Sequence, residues 1–139
     1  PKNYYLLEKN LSNYSNVEIR QAALVPSSMS KVSIGLGATG NAHKTITGES
    51  DGTATLSFKE LSHMLIDGIN IAKIDVEGFE NEIFSTDWEH WDLLEVIMIE
   101  LHDWMFEPVT SSNFLAFCAE KKRRCIINGD ILISLRGDF

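Results

Sequence analysis

Long apolar runs are missing from this 139-residue chain. A bilayer-spanning helix needs roughly 20 consecutive apolar residues, so no transmembrane segment is expected. No basic stretch followed by an apolar core is visible, so no signal peptide is read, and a cytoplasmic location is the expectation. Positive charge is scarce: 12 Lys and Arg stand against 20 Asp and Glu, a formal net charge of -8. That balance argues against a general binder of nucleic acid or of anionic membranes. Cysteine is scarce as well. Cys118 and Cys125 are the only two, and they make neither a disulfide framework nor a metal-ligand spacing. Reduced thiols are expected. The chain opens on Pro1 rather than methionine, as expected of a start inside a longer reading frame, after a removed tag or after an unrecorded segment.

What is present suffices for one domain over residues 1–139, with 44% hydrophobic residues to build a core. Residues 1–13 read as a helix, with Pro1 in its first turn and Tyr4, Leu7, Leu11 and Tyr14 at helical spacing. Residues 17–24 read as a strand, and the alternation of Val32, Ile34 and Leu36 as a second. Residues 35–52, rich in Gly, Thr and Ser, read as a loop or a loosely paired ribbon. Gly35, Gly37 and Gly40 make a formal G-x-G-x-x-G. It is set aside, because the dinucleotide fingerprint needs a helix opening inside the motif and residues 41–48 lack helical periodicity.

Ser57 and Glu60 form a capping box for a helix carrying Phe58, Leu61 and Leu65 inward, ending near Asp67 and Gly68. Residues 71–76 follow as a strand, and a short helix after Gly78 buries Ile83 and Phe84. Thr86 to Glu89 reads as a second capping box ahead of Trp88 and Trp91. Residues 96–102 read as an apolar strand covered on both faces, as in a parallel sheet. After a loop from Trp104 to Ser112, a helix capped by Ser111 or Ser112 runs to about Lys122. The basic run Lys121 to Arg124 lies at its C-terminus, where it compensates the helix dipole and aids solubility. Asn128, Gly129 and Asp130 between apolar runs predict a terminal antiparallel hairpin.

The unusual stretch is Lys73-Ile74-Asp75-Val76-Glu77-Gly78. In a strand, Lys73, Asp75 and Glu77 share one face, and charges buried beside an apolar run must be paired or used. Glu100 and His102 share a face at the end of the next apolar strand. If the two strands are neighbours, Asp75, Glu77, Glu100 and His102 converge where open α/β sheets bind ligands. Such a group suits acid–base work, a substrate amine or hydroxyl, or a divalent metal. It also suits a structural network, with Lys73 paired to a carboxylate and Glu100 to His102. No metal ligand set is assigned.

Lys73 to Glu80 (K-I-D-V-E-G-F-E), followed by Ile99-Glu100-Leu101-His102, resembles the FkbM family of S-adenosylmethionine-dependent methyltransferases. Residues 1–11 are similar to that family's helix after its second strand and residues 17–24 to its third strand, so the resemblance covers nearly the whole chain. It implies an α/β, Rossmann-like methyltransferase sheet, mostly parallel, ending in an antiparallel hairpin. It also implies O- or N-methyl transfer to a small-molecule or sugar-like acceptor. Asp75 would lie near the methionine end of the cofactor, with Asp75 and Gly78 as its binding residues. Asp75, Glu77, Glu100 and His102 would be the catalytic set. The family's first strand, glycine-rich loop and ribose-binding acid precede the point matching Pro1, so the chain is expected to be the C-terminal two-thirds of such an enzyme, N-terminally truncated. The strand 71–76 would then have an open edge, which predicts a homo-oligomer or a sheet rearranged so that residues 17–24 fill the gap. The alternatives are a non-catalytic self-associating domain and a metal-dependent site built from Asp75, Glu77, Glu100 and His102.

Overall fold

The computed structural model describes residues 2–30, 32–36, 43–46, 54–64, 70–105, 107 and 109–137. Its centre is a four-stranded mixed sheet made of β5 (Ile71–Ile74), β6 (Val96–Glu100), β7 (Arg124–Asn128) and β8 (Ile131–Leu135). The spatial order is β5-β6-β8-β7: β5 is parallel to β6, and β8 runs antiparallel to both of its neighbours. The β7–β8 pair is the expected hairpin. Asn128 pairs with Ile131, so Gly129 takes the first central position of the turn at φ 65, where a glycine avoids the Cβ penalty.

One face of this sheet carries the core. Ile74, Ile97, Ile99, Leu132 and Ser134 are buried on it, adjacent strands being in register. Against it pack α3 (Glu80–Ile83), α4 (Trp88–Trp91) and α5 (Ser112–Glu120). The filling is aromatic. Phe84 meets Trp91 at 4.6 Å, Phe114 edge-on at 4.7 Å and Phe117 at 5.5 Å between ring centres. Phe58 stacks on Trp91 at 3.8 Å. Each such ring removed from water contributes roughly 1.5–3 kcal/mol. The opposite face is only partly covered among the described residues: Val96 and Met98 are half-buried and Ile71 is exposed. The expectation of strands covered on both faces is therefore corrected. The apolar continuity of β6 reflects one dry face and one half-wet one.

Two smaller sheets complete the fold. β1 (Ala23–Val25) pairs in parallel with β4 (Thr55–Ser57), and β2 (Ser33–Leu36) pairs antiparallel with β3 (His43–Ile46). The second pair is the ribbon reading of residues 35–52. The strand expected over residues 17–24 is shorter and displaced to Ala23–Val25, and residues 17–22 lie outside any strand. It also pairs with β4 rather than filling the edge of β5, so the rearranged-sheet expectation is corrected. Among the described residues β5 pairs with β6 alone.

Helix α1 spans Lys2–Leu11 and α2 spans Phe58–Met64. The capping box of α2 is formed in full. The Ser57 N–H and hydroxyl donate to Glu60 Oε2, both at 2.8 Å, and the Glu60 N–H returns to Ser57 Oγ at 3.2 Å. Those bonds, the backbone one foremost, hold the Glu60 carboxyl below its ordinary range. The expected end of α2 at Asp67 and Gly68 lies outside the described residues, as do Gly37, Gly40 and Pro108.

The second capping box is not formed. Helix α4 begins at Trp88, so the N-cap is Asp87, at φ 64, and no side chain caps it. The Asp87 carboxylate instead accepts from the Ser27 N–H at 2.9 Å and the Ser27 hydroxyl at 2.6 Å. The basic run is also corrected. Arg123 is buried, donating to Ser134 Oγ at 2.8 Å, Asp92 Oδ1 at 3.0 Å and the Glu95 carbonyl at 3.3 Å. Lys121 donates to Glu89 at 3.1 Å. These cations tie α5 and the hairpin to the α4–β6 connection rather than standing free. Cys118 is buried and Cys125 exposed, both reduced. Burial pushes the Cys118 thiol up to about 12.

Candidate functional site

The parallel β5–β6 pair fixes the site. Ile74 is opposite Ile99, so the residues just past Ile74 lie beside Glu100. The strand then stops. Glu77 and Gly78 take φ 51 and φ 95, the central positions of a turn closed by the Phe79 N–H on the Val76 carbonyl at 3.3 Å. Two successive positive φ angles define a primed turn, which glycine accepts readily and glutamate at a cost of roughly 1–2 kcal/mol. Period-2 alternation therefore ends before Glu77, correcting the expectation that Lys73, Asp75 and Glu77 share one strand face. Lys73 and Asp75 are exposed rather than buried. They pair at 3.3 Å, the partnership expected for Lys73.

The turn aims Glu77 at His102. Its Oε2 lies 3.5 Å from His102 Nε2, and Glu100 Oε1 lies 3.9 Å from the same nitrogen. Asp75, Glu77 and His102 each offer a ligand atom within 4.8 Å of the others. The four residues named from the sequence thus come together, with His102 4% exposed at the floor and Asp75 at the rim.

The residue that organises them was quoted in the motif but given no role. Glu80, fully buried at the start of α3, holds His102 Nδ1 at 2.6 Å from its Oε1. The same Oε1 accepts from the Gly78 N–H at 3.1 Å. An oxygen that already accepts an amide proton also accepts from the ring, so Nδ1 carries a hydrogen and Nε2 is turned toward the carboxylates of Glu77 and Glu100. Gly78, a cofactor-binding residue by the resemblance, thus has its N–H engaged inside the protein. Glu80 Oε2 is buried with no hydrogen-bond partner. A signal existed: Glu80 is flanked by Phe79 and lies three residues before Ile83, on the buried stripe of its helix.

Two further groups steady the frame. Asn113 bonds Asn81 twice, N–H to Oδ1 at 2.9 Å and Nδ2 to the carbonyl at 2.7 Å, fastening α5 to α3. Asp103, next to His102, accepts at Oδ1 from the Thr110 N–H at 2.6 Å and the Ser111 N–H at 2.8 Å. Its Oδ2 takes the Ser111 hydroxyl at 2.6 Å, so the hydroxyl expected to cap α5 closes the loop instead. Burial raises the Asp103 carboxyl, but the bonds from Ser111 and Thr110 together outweigh it and leave it lowered.

Chemically, this strand end gathers three carboxylates around one imidazole nitrogen. Such a site receives protons and favours positive charge. Among the described residues no helix is long and apolar enough to cross a membrane. Searches of family models, curated proteins and solved structures return no match to this chain.

Proposed function

We propose that this chain belongs to an S-adenosylmethionine-dependent methyltransferase of FkbM type, transferring methyl to an oxygen or nitrogen of a small-molecule, sugar-like acceptor. The observation that carries the reading is the strand order β5-β6-β8-β7, with antiparallel β8 inserted between β6 and β7. A methyltransferase sheet ends in that arrangement, and the polar cluster lies at the carboxyl ends of its parallel strands, where α/β sheets bind ligands.

The donor set fits the cofactor. Its methionine end carries a sulfonium and an ammonium, and Asp75, at the rim with its side chain 40% exposed, offers a carboxylate to positive charge. When bound, S-adenosylmethionine would supply a methyl group from its sulfonium to the acceptor's oxygen or nitrogen, its sulfur leaving as a neutral thioether. The rest falls to this chain. Glu77, Glu100 and His102 bind the acceptor's hydroxyl or amine, and the proton released on methylation passes to this group. Glu80 holds the His102 ring in one orientation throughout. The cluster serves a cationic cofactor and a protic acceptor, and a nucleic acid or an anionic membrane would be repelled by it.

Calorimetry tests the reading on the complete reading frame that encodes the chain. Micromolar binding of S-adenosylmethionine, weakened by Asp75→Ala, is expected; no binding at millimolar ligand contradicts it. Self-association is part of the same proposal, because β5 is paired on one side among the described residues and Ile71 on it is exposed. Sedimentation should give a homo-oligomer, and a monomer at all concentrations would overturn that part.

A further inference from the structure

We propose that Asp75, Glu77 and His102 Nε2 form a divalent-cation site, with Glu80 as the outer carboxylate that orients the histidine. The proposal stands independently of the methyl-transfer reading. Its starting point is the way the histidine ring is held. His102 turns Nδ1 to Glu80 and Nε2 to the open end of the cluster, where Glu77 Oε2 stands at 3.5 Å and Glu100 Oε1 at 3.9 Å. Carboxylates gathered around one buried side chain repel one another unless a positive centre lies among them.

The surrounding charge points the same way. Four carboxylates, Asp75, Glu77, Glu80 and Glu100, gather here, and among the described residues Lys73 is the lysine or arginine ion-paired with them. Lys73 reaches only Asp75, at the exposed rim. The Glu80–His102 bond is the arrangement by which metal-binding histidines are held: one ring nitrogen donates to a carboxylate and the other faces the ion.

The spacing needs little adjustment. Ligand atoms around one first-row ion stand at most roughly 4.4 Å apart, twice a bond of about 2.2 Å. The three ligand atoms here lie within 4.8 Å of one another. Rotamer shifts of a few tenths of an ångström by the two outer carboxylates close the difference, while His102 stays fixed. Two oxygens and one imidazole nitrogen suit an ion that accepts both ligand types, and the solvent side of Asp75 leaves positions for water or a substrate oxygen. Under the methyl-transfer reading, an acceptor hydroxyl would take one of those positions, and Glu100 would be the carboxylate left to take its proton.

Manganese is the probe. The chain is stripped with a chelator and titrated with Mn²⁺ while the free-ion resonance signal is followed, with Mg²⁺ and Zn²⁺ in parallel competition. One ion per chain is expected. The double variant Asp75→Asn, Glu77→Gln should lose uptake, and Glu80→Gln should weaken it about 10–100-fold. Circular dichroism confirms that the variants fold, and the double variant changes only the two outer carboxylates. No uptake of any of the three ions at millimolar concentration overturns the proposal. So does undiminished uptake by the double variant. Ion uptake without S-adenosylmethionine binding would leave this site standing and remove the methyl-transfer reading.

Discussion

Strands β5 and β6 serve two regions of opposite character. Along their length Ile74, Ile97 and Ile99 face a dry layer of Phe84, Trp91, Phe114 and Phe117. Past their ends the chain presents carboxylates and a histidine. The first region gains from removing apolar surface from water, and its members are interchangeable in kind if volume is kept. The second has almost no apolar area to gain from. It is held by directed bonds: the turn at Glu77 and Gly78, the Glu80–His102 pair and the Asp103 loop clasp. Stability and chemistry thus come from the same two strands and are separated by a few residues along them. Glu80 and His102 belong to both regions, buried like the core and polar like the site.

That division can be broken by substitution. Phe84→Ala, at the centre of the aromatic layer, should cost about 3–5 kcal/mol in urea unfolding. It should leave any cation uptake by the folded fraction unchanged; a cost under about 1 kcal/mol would show that the layer is not the source of stability. Glu80→Gln should cost about 1–3 kcal/mol by the same measure, because the hydrogen bond from His102 loses its charged partner. A neutral result would place Glu80 outside the framework. Glu77→Gly should act oppositely, raising stability by about 1 kcal/mol through relief of the φ 51 backbone while removing a site carboxylate. A loss of stability would mean that the turn is not strained.

The smallest effect is a pH dependence. The Asp103 carboxyl is lowered in the fold, so the unfolded chain binds its proton more readily. Its contribution is fully present above the ordinary value of 3.8 and is lost as pH falls through the lowered folded value. Asp103→Asn should flatten the acid limb of stability in that window. An acid limb of unchanged slope would contradict the clasp.

How much of this was legible follows from how local each cause is. The Ser57–Glu60 box and the Asn128–Asp130 turn are decided within a few residues, and both formed as read. Residues 17–24 failed as a strand because pairing with Thr55–Ser57, some thirty residues on, selects only Ala23–Val25. Arg123 looked like a solvated helix end, and only Ser134 and Asp92, both distant in sequence, make it a buried cation. Thr86 missed its cap because the helix began one residue later and Asp87 was drawn to Ser27. At the site, Asp75, Glu77, Glu100 and His102 could be named because charges at the ends of apolar strands stand out. Glu80 was given no role, since an acidic residue in a first helical turn usually faces water and favours the helix dipole, and its place on the stripe of Ile83 was the one sequence signal against that. Its burial depends on α5 closing over α3 through Asn81 and Asn113.

The central claim is that the Glu80–His102 bond fixes the histidine ring, with Nδ1 toward Glu80 and Nε2 toward Glu77 and Glu100. It is tested most directly by ¹⁵N–¹H correlation of the histidine rings, with His102 assigned by its loss in His102→Gln. The account predicts a hydrogen on Nδ1 in the free protein, and loss of that preference in Glu80→Leu. A bare Nδ1 in the wild-type protein, or a spectrum unaltered by Glu80→Leu, would contradict it.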